Sequence, residues 1–292
     1  MKILVLGSTG MLGWMVQRVL SSDPQCKVVG THNDRTKAAG YFDVLSDIQT
    51  LESLLSGVEY VINCIGITKN LIDEQNPQSV ERAIEINTKF PHRLGEIAGK
   101  VGARVIQIST NGVFSGTYPS YVESDAPDAT DIYGKTKAQG EVQQDNFLNI
   151  RCSIIGPSPI KKGGLFEWFR SQSDGAVISG YTNHQWNGVT TLQFAQLCKQ
   201  IVIGDHFKAL CEQSPVYHFV PNSSISKYEL LTLFQSALGT SITINPAEDP
   251  RGGGSSPILI TQLQILKQIF PNTQSLDQAI YDLCAFSGTS SS

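Results

Sequence analysis

The stretch from Lys2 to Leu20 limits the possible folds more than any other. Lys2-Ile3-Leu4-Val5-Leu6 is an apolar run rich in branched side chains, and Gly7-Ser8-Thr9-Gly10-Met11-Leu12-Gly13 follows at once. Met11, Met15, Val16, Val19 and Leu20 then recur on one face of a helix. The order is strand, glycine turn, helix. In such a unit Gly7 permits a tight bend and Gly10 lets backbone N–H groups approach an anion. Gly13 lets the helix pack closely on the strand. The helix N-terminus adds unpaired N–H groups and a partial positive charge suited to a pyrophosphate. The spacing is G-x-x-G-x-x-G rather than G-x-G-x-x-G. A turn that merely joins a strand to a helix would look the same, so the rest of the chain must decide.

The next strand, Lys27 to Thr31, ends without a carboxylate; Thr31, His32, Asn33, Asp34 and Arg35 follow. In this architecture an acid there takes the ribose of NAD, and a nearby arginine takes the 2′-phosphate of NADP. Arg35 favours NADP(H). NAD(H) stays open, with Asp34 on the ribose and Arg35 solvated. Tyr41 to Val44 is expected as a brief strand, with Asp43 and Val44 against the adenine. A short helix is expected from Ile48 to Leu55. Tyr60 to Gly66 is an almost wholly apolar strand, as in a parallel sheet covered on both faces. Pro77 to Lys100 is expected as one long helix, with Asn87 bonded to the backbone of a neighbouring strand. Val101 to Ile108 is the next strand, tipped by Ser109-Thr110-Asn111-Gly112-Val113-Phe114. A Gly/Pro/Ser/Asp loop leads to a helix from Tyr133 to Glu141, and Phe147 to Arg151 is a further strand.

Strands alternating with helices predict an α/β fold, a Rossmann-like doubly wound parallel sheet. Residues 1–159 are expected to form this domain. Residues 160–292 are expected to supply mostly a smaller substrate-binding lobe, possibly returning a strand or helix to the sheet. Helices are expected over Leu165–Gln172, Leu192–Ile203 and Lys227–Leu238, the last capped by Ser226. Val216 to Val220 is expected as a strand.

The chain has 292 residues, enough for a sizeable core, with 22 basic and 26 acidic side chains and a net charge of −4. No basic block suggests a nucleic-acid partner. The six cysteines, Cys26, Cys64, Cys152, Cys198, Cys211 and Cys284, are scattered without C-x-x-C, which favours reduced thiols in a cytoplasmic protein. No apolar stretch is long enough to span a bilayer, no signal peptide is recognisable, and the last residues read as a disordered tail. A homodimer through helices flanking the sheet is compatible with the sequence.

Three features coincide: the N-terminal glycine turn, Ser109-Thr110 at a strand tip, and Tyr133 with Lys137 at i and i+4 on one helix face. Each is common alone; their order on one scaffold is specific. Reducing a carbonyl with a nicotinamide requires hydride on carbon and a proton on oxygen. A nearby ammonium is expected to lower the phenol of Tyr133 towards neutrality, where general acid–base work is effective. The Thr110 hydroxyl can bond the carbonyl oxygen. Lys137 can also bond the nicotinamide ribose.

These residues resemble an extended short-chain dehydrogenase/reductase, specifically the dTDP-4-dehydrorhamnose reductase branch. The matching stretches are Gly7 to Gly13, Val61 to Gly66, Ser109 to Gly116, Tyr121 to Glu123 and Tyr133 to Glu141, extended by Arg151 to Ser153 and Asn187 to Thr191. The resemblance is good over about the first two thirds of the chain and loose beyond. It implies Tyr133 as general acid, Lys137 as its partner and Thr110 as the carbonyl-binding hydroxyl. It places the cofactor on Gly7, Thr9, Gly10, Met11 and Leu12, with Cys64, Ile65, Gly66 and Ser109 beside its ribose and nicotinamide. It implies NADPH-dependent reduction of a 4-keto-6-deoxy nucleotide sugar, in deoxysugar or polysaccharide biosynthesis.

One departure bears on substrate. The branch tends to read STDYVFDG where this chain has STNGVFSG. Asn111 and Gly112 replace Asp and Tyr, and Gly112 is expected to remove a polar wall beside the sugar. Val113 and Phe114 complete that wall. Gly180 to Asn187 concentrates aromatics, an imidazole and amides, so His184, Trp186 and Asn187 are substrate candidates. The competing reading makes Trp186 a plug between lobes. No metal is expected at His184. Arg251 is either a diphosphate contact or a solvated loop charge. Two other functions stay open: a nucleotide-sugar epimerase or dehydrogenase, and a non-catalytic cofactor-binding regulatory subunit.

Overall fold

The structure, a computed structural model, describes residues 1–36, 39–45, 48–160, 163–250, 256–271 and 274–288. Its centre is a parallel sheet of β1 (Lys2–Leu6), β2 (Lys27–Gly30), β3 (Tyr60–Asn63), β4 (Arg104–Ile108), β5 (Phe147–Arg151) and the strand Val216–His218. The spatial order is Val216–His218, β5, β4, β3, β1, β2, and every neighbouring pair runs parallel. The apolar runs explain the placement. Ile3 and Val5 face one buried cluster while Leu4 and Leu6 face another, so both sides of β1 are covered. The chain leaves β1 to one side for β2 and returns on the other side for β3. That reversal opens a crevice at the carboxyl ends of β1 and β3, where ligands bind in such sheets.

Five helices position the site: α1 (Met11–Ser21), α2 (Ile48–Leu55), α3 (Pro77–Ile84), α4 (Phe90–Val101) and α5 (Ile132–Gln139). On one face α1 buries Leu12, Met15, Val16, Val19 and Leu20, packed beside the helix Thr191–Ile203. On the other, α4 buries Phe90, Leu94, Ile97 and Ala98 against Leu4, Val61 and Val105.

Several expectations are corrected. The long helix from Pro77 is interrupted by a π-turn at Glu85–Lys89. Asn87 lies in that turn. Its Oδ1 accepts from Ile67 N (2.9 Å), and its Nδ2 donates to Ile67 O (3.0 Å) and Thr136 Oγ1 (3.2 Å). The amide therefore serves the loop after β3 and the helix α5 rather than a strand. Residues 41–44 do not form a strand; Tyr41 makes an isolated parallel bridge to His32. Val101 closes α4 and Gly102 turns the chain with φ +74°, so the following strand begins at Arg104.

Beyond residue 160 the chain does two jobs. Val216–His218 and the helix Thr191–Ile203 return to the main sheet. Val177–Tyr181 pairs in parallel with Thr243–Ala247 beside the helix Lys227–Leu238. Ser226 caps that helix in a reciprocal box with Glu229. Among the described residues no helix is long and apolar enough to cross a membrane. Arg251 and the tail at 289–292 lie outside the described residues.

Candidate active site

The glycine turn has the geometry its spacing requires. Gly7 has φ +76°, and a Cβ on Gly13 would stand 2.2 Å from Gly7 O, so α1 can sit this close only with glycine there. A Cβ on Gly10 would meet only Gly7 O, at 3.4 Å. Gly10 N-caps α1 without a side-chain hydrogen bond, so the N–H groups of the first turn stay available to an anion. Thr9 is exposed, Met11 half-buried and Leu12 buried. The tips of β1 and β3 touch: a Cβ on Gly7 would lie 3.1 Å from Ile65 Cγ1 and 3.5 Å from the Cys64 carbonyl carbon. The strand expected to reach Gly66 ends at Asn63, which leaves Cys64, Ile65 and Gly66 on the crevice rim. Thr31 latches the turn, its Oγ1 accepting from Gly7 N (3.1 Å) and its O from Ser8 N (2.8 Å). Arg35 donates to Tyr41 Oη (3.1 Å) and lies 3.6 Å from Asp43 Oδ2, with its side chain 82% exposed. It stands at the open edge beyond β2. Val44 is buried, and its carbonyl accepts from Arg93.

The candidate reacting groups meet at the tip of β4. Thr110 Oγ1 accepts from Gly112 N at 3.0 Å, and the Thr110 hydroxyl lies close enough to the Tyr133 phenol to favour its charged form. A Cβ built on Gly112 would fall 3.2 Å from Tyr133 Cε1 and 3.3 Å from Thr110 Oγ1. The glycine therefore leaves room for the phenol ring beside Thr110. Asp131 caps α5 by accepting from Gly134 N (2.7 Å) and is paired with Lys69 (2.8 Å). Gly134 lets the helix close on this segment, since a Cβ there would stand 2.2 Å from Gly112 O.

Lys137 is buried, and its Nζ donates to Ile108 O at 2.9 Å. Burial pushes its ammonium down to about 8, against the opposing pull chiefly of Glu141. Burial likewise raises Cys64 to about 12, with Lys137 pulling the other way. The amine thus feels both the β3 tip and the residue after β5. Tyr133 departs from expectation. Burial raises its phenol above the usual value, and the Thr110 hydroxyl only partly offsets this; Cys152 and Asp131 add to the rise. In this geometry Lys137 serves the Ile108 carbonyl, so the expected lowering by its ammonium does not prevail.

The remaining candidates divide. Ser109 Oγ donates to Glu141 Oε1 at 2.6 Å. Asn111 Nδ2 donates to Ser256 Oγ (2.8 Å) and Pro257 O (2.9 Å), and Asn187 Nδ2 to Leu259 O (2.6 Å). Both amides bind the 256–259 segment. Val113 and Phe114 are buried, Phe114 stacked on Tyr121 at 4.2 Å. Trp186 is 4% exposed in the main core, with Nε1 donating to Ser153 Oγ (2.8 Å), which is the plug reading. His184 Nε2 sits 3.1 Å from Asp249 Oδ2, without hydrogen-bond alignment, and its ring lies 4.9 Å from that of Tyr181. Glu141 and Arg151, paired through both carboxylate oxygens, were not legible as site residues. The available signal was spacing: Glu141 follows Lys137 by the same four residues that separate Lys137 from Tyr133. A surface hollow of ≈460 Å³ lined by Arg104, Phe207 and Cys211 lies at the amino end of β4, the opposite end from Thr110.

Comparison with known proteins agrees with this architecture. Residues 1–249 match the family described as RmlD substrate binding domain. A methionine adenosyltransferase 2 subunit beta from Pongo abelii is 30% identical over 272 residues, covering 89% of this chain and 78% of the relative. A dTDP-4-dehydrorhamnose reductase from Salmonella typhimurium is 30% identical over 148 residues, covering 50% of this chain and 48% of the relative. Among solved structures, a Bacillus anthracis dTDP-4-dehydrorhamnose reductase in complex with NADP superposes with a TM-score of 0.77 at 18% identity, covering 98% of this chain and 99% of that one. The chain belongs to the RmlD substrate binding domain family, on the Rossmann-like fold of the extended short-chain dehydrogenase/reductases.

Proposed function

We propose that this chain is an NADP(H)-dependent reductase of a keto group on a nucleotide-linked sugar, of the 4-keto-6-deoxy class. The observation that carries the reading is the meeting of Thr110, Tyr133 and Lys137 at the tip of β4, beside the crevice between β1 and β3. Burying an amine is costly unless its charge serves something. A reaction that moves a proton at Tyr133 would make use of it.

The residues suit a dinucleotide. The pyrophosphate would lie on the N–H groups after Gly10, where α1 can close on the turn only because Gly13 lacks a Cβ. Arg35 would meet a 2′-phosphate, supporting NADP(H), and NAD(H) is compatible with the same crevice. The related reductase solved with NADP supports this preference. A bound dihydronicotinamide supplies hydride to the keto carbon. Tyr133, held protonated by burial, gives its proton to the keto oxygen. The Thr110 hydroxyl donates to that oxygen as charge grows on it. Lys137 keeps a positive charge beneath the site and fixes the β4 tip through Ile108. Of the wall residues, Gly112 stands beside the phenol, whereas Phe114 stacks on Tyr121 and Asn111 and Asn187 hold the 256–259 segment.

Purified protein with NADPH and a panel of 4-keto-6-deoxy nucleotide sugars tests the reading. Oxidation of NADPH with at least one is expected; none with any would overturn it. A second reading is a cofactor-binding subunit of another enzyme. It is favoured by the relatives named methionine adenosyltransferase 2 subunit beta, which align along most of their length. On that reading Tyr133→Phe leaves the protein's effect on its partner enzyme unchanged.

A further inference from the structure

Three consecutive residues at the carboxyl end of β4 are each held by the turn that closes α5. Gln107 Nε2 donates to Gly140 O at 2.8 Å. Ile108 O accepts from Lys137 Nζ at 2.9 Å. Ser109 Oγ donates to Glu141 Oε1 at 2.6 Å. Thr110 is the next residue. Glu141 in turn receives Arg151 in a fork, Nε to Oε1 at 2.8 Å and Nη2 to Oε2 at 2.7 Å, with both side chains 4% exposed. Behind Arg151, Nη1 faces His218 Nε2 at 3.3 Å, and His218 Nδ1 lies 2.9 Å from Ile260 O.

A buried ion pair is a poor device for stability. The desolvation of both charges rivals their attraction, and apolar residues of similar volume often serve as well. The position of this pair is more informative than its strength. One carboxylate reaches the hydroxyl that precedes Thr110 and lies just past the end of the helix that carries Lys137. We propose that Glu141 is a positioning residue of the reaction site: through Ser109 it fixes the strand tip that carries Thr110, and it is the counter-charge of the Lys137 ammonium, with Arg151 holding the carboxylate in place. This rests on the reductase reading of Tyr133 and Lys137.

The groups facing Lys137 leave that role to Glu141. From β4 comes only the Ile108 carbonyl. From the β3 tip comes Cys64, and from beyond β5 comes Cys152; burial raises both thiols, so both stay neutral. Tyr133, on the same helix, is raised as well. Glu141 is then the full negative charge acting on the amine among the described residues. Around Glu141 itself stand Ser109, Arg151 and, behind Arg151, His218. Burial pushes His218 down, and Glu123 accepts from its backbone N–H at 3.3 Å. Removing the carboxylate therefore withdraws support from the ammonium, and Lys137 should lose its proton at lower pH.

The test uses Glu141→Gln and the double variant Glu141→Gln/Arg151→Met. The double variant leaves no unpaired buried charge and guards against a simple folding failure. The first readout needs no turnover: titration of the Lys137 ammonium by ¹⁵N-lysine NMR on the full chain, assigned with Lys137→Met. Its midpoint should fall by about one pH unit in Glu141→Gln, and by less in the double variant, where the Arg151 cation leaves together with the carboxylate. The second readout is the pH profile of kcat, whose limb set by Lys137 should move with it. Ser109→Ala, which keeps both charges, should lower kcat by roughly tenfold through a loosened Thr110, with no shift of the profile. An unchanged Lys137 midpoint in both variants overturns the proposal, even where wild-type turnover is robust. A shifted midpoint in a wild-type background that reduces no nucleotide sugar supports the Glu141–Lys137 relation while the reductase reading fails.

Discussion

Lys137 Nζ donates to the carbonyl of Ile108 at 2.9 Å, and this bond joins the helix that carries the phenol to the strand that carries Thr110. The lysine is 7% exposed, and its ammonium is pushed from 10.5 down to about 8. The sign of the linked stability follows. Below about pH 8 the lysine is protonated in both folded and unfolded chains, and the burial penalty is fully felt. Between about 8 and 10.5 the unfolded chain holds the proton and the folded one does not, so stability rises with pH through that window. The fall in affinity corresponds to about 3 kcal/mol at ~1.4 kcal/mol per tenfold. Lys137→Met should remove that penalty and forfeit about 1 kcal/mol for the bond to Ile108. The variant is expected to be inactive yet roughly 2 kcal/mol more stable at pH 7, with the alkaline rise gone. Urea unfolding at pH 7 and pH 9.5 measures both.

Gly13→Ala places a methyl 2.2 Å from Gly7 O, a backbone atom that cannot step aside. Destabilisation of about 1–3 kcal/mol is expected, together with loss of NADPH binding as α1 is pushed from the turn. Thermal unfolding and fluorescence titration with NADPH read the two effects. Normal cofactor affinity in this variant would show that the cradle is not where NADPH binds.

Gly112→Ala puts a methyl 3.2 Å from Tyr133 Cε1 and 3.3 Å from Thr110 Oγ1. The ring must yield by a few tenths of an ångström. On the order of a tenfold fall in kcat is expected, with NADPH affinity unchanged, because misplacement of a reacting group is felt in the chemical step. Steady-state kinetics with the best substrate of the panel checks this.

Arg35→Ala should weaken NADPH binding about 10- to 100-fold, the worth of a charged hydrogen bond to phosphate, and leave NADH binding nearly unchanged. The side chain is 82% exposed and, among the described residues, is held by Tyr41 and Asp43, so the fold should not respond. Equal losses for the two cofactors would place the 2′-phosphate elsewhere.

Much of this architecture is legible in the sequence because single segments encode it. The apolar runs at Lys2–Leu6 and from Tyr60 onward mark strands buried on both faces, and Ser226 marks a helix start that the structure reproduces, with Glu229 completing the capping box. What escapes is set by contacts distant in sequence. The π-turn at Glu85–Lys89 occurs where Asn87 meets Ile67 and Thr136, and no helical period announces it. Val177–Tyr181 and Thr243–Ala247 are largely exposed, and the latter contains Pro246, so neither shows a strand pattern. In the site, Tyr133, Lys137 and Thr110 are recognisable because their spacing carries the chemistry. The rise in the Tyr133 phenol and the fork between Glu141 and Arg151 depend on burial, which a linear pattern does not express. Trp186 and Asn187 look like ligand groups by composition, but the fold spends them on Ser153 and Leu259.

The most direct test of the account compares wild type with Tyr133→Phe, measuring NADPH affinity and NADPH oxidation with a 4-keto-6-deoxy nucleotide sugar on the same preparations. The account predicts equal NADPH affinity and a fall in kcat of roughly a hundred- to ten-thousand-fold, the worth of a positioned general acid. Equal turnover in the two proteins would contradict it, because the ketone oxygen would then take its proton from somewhere other than Tyr133.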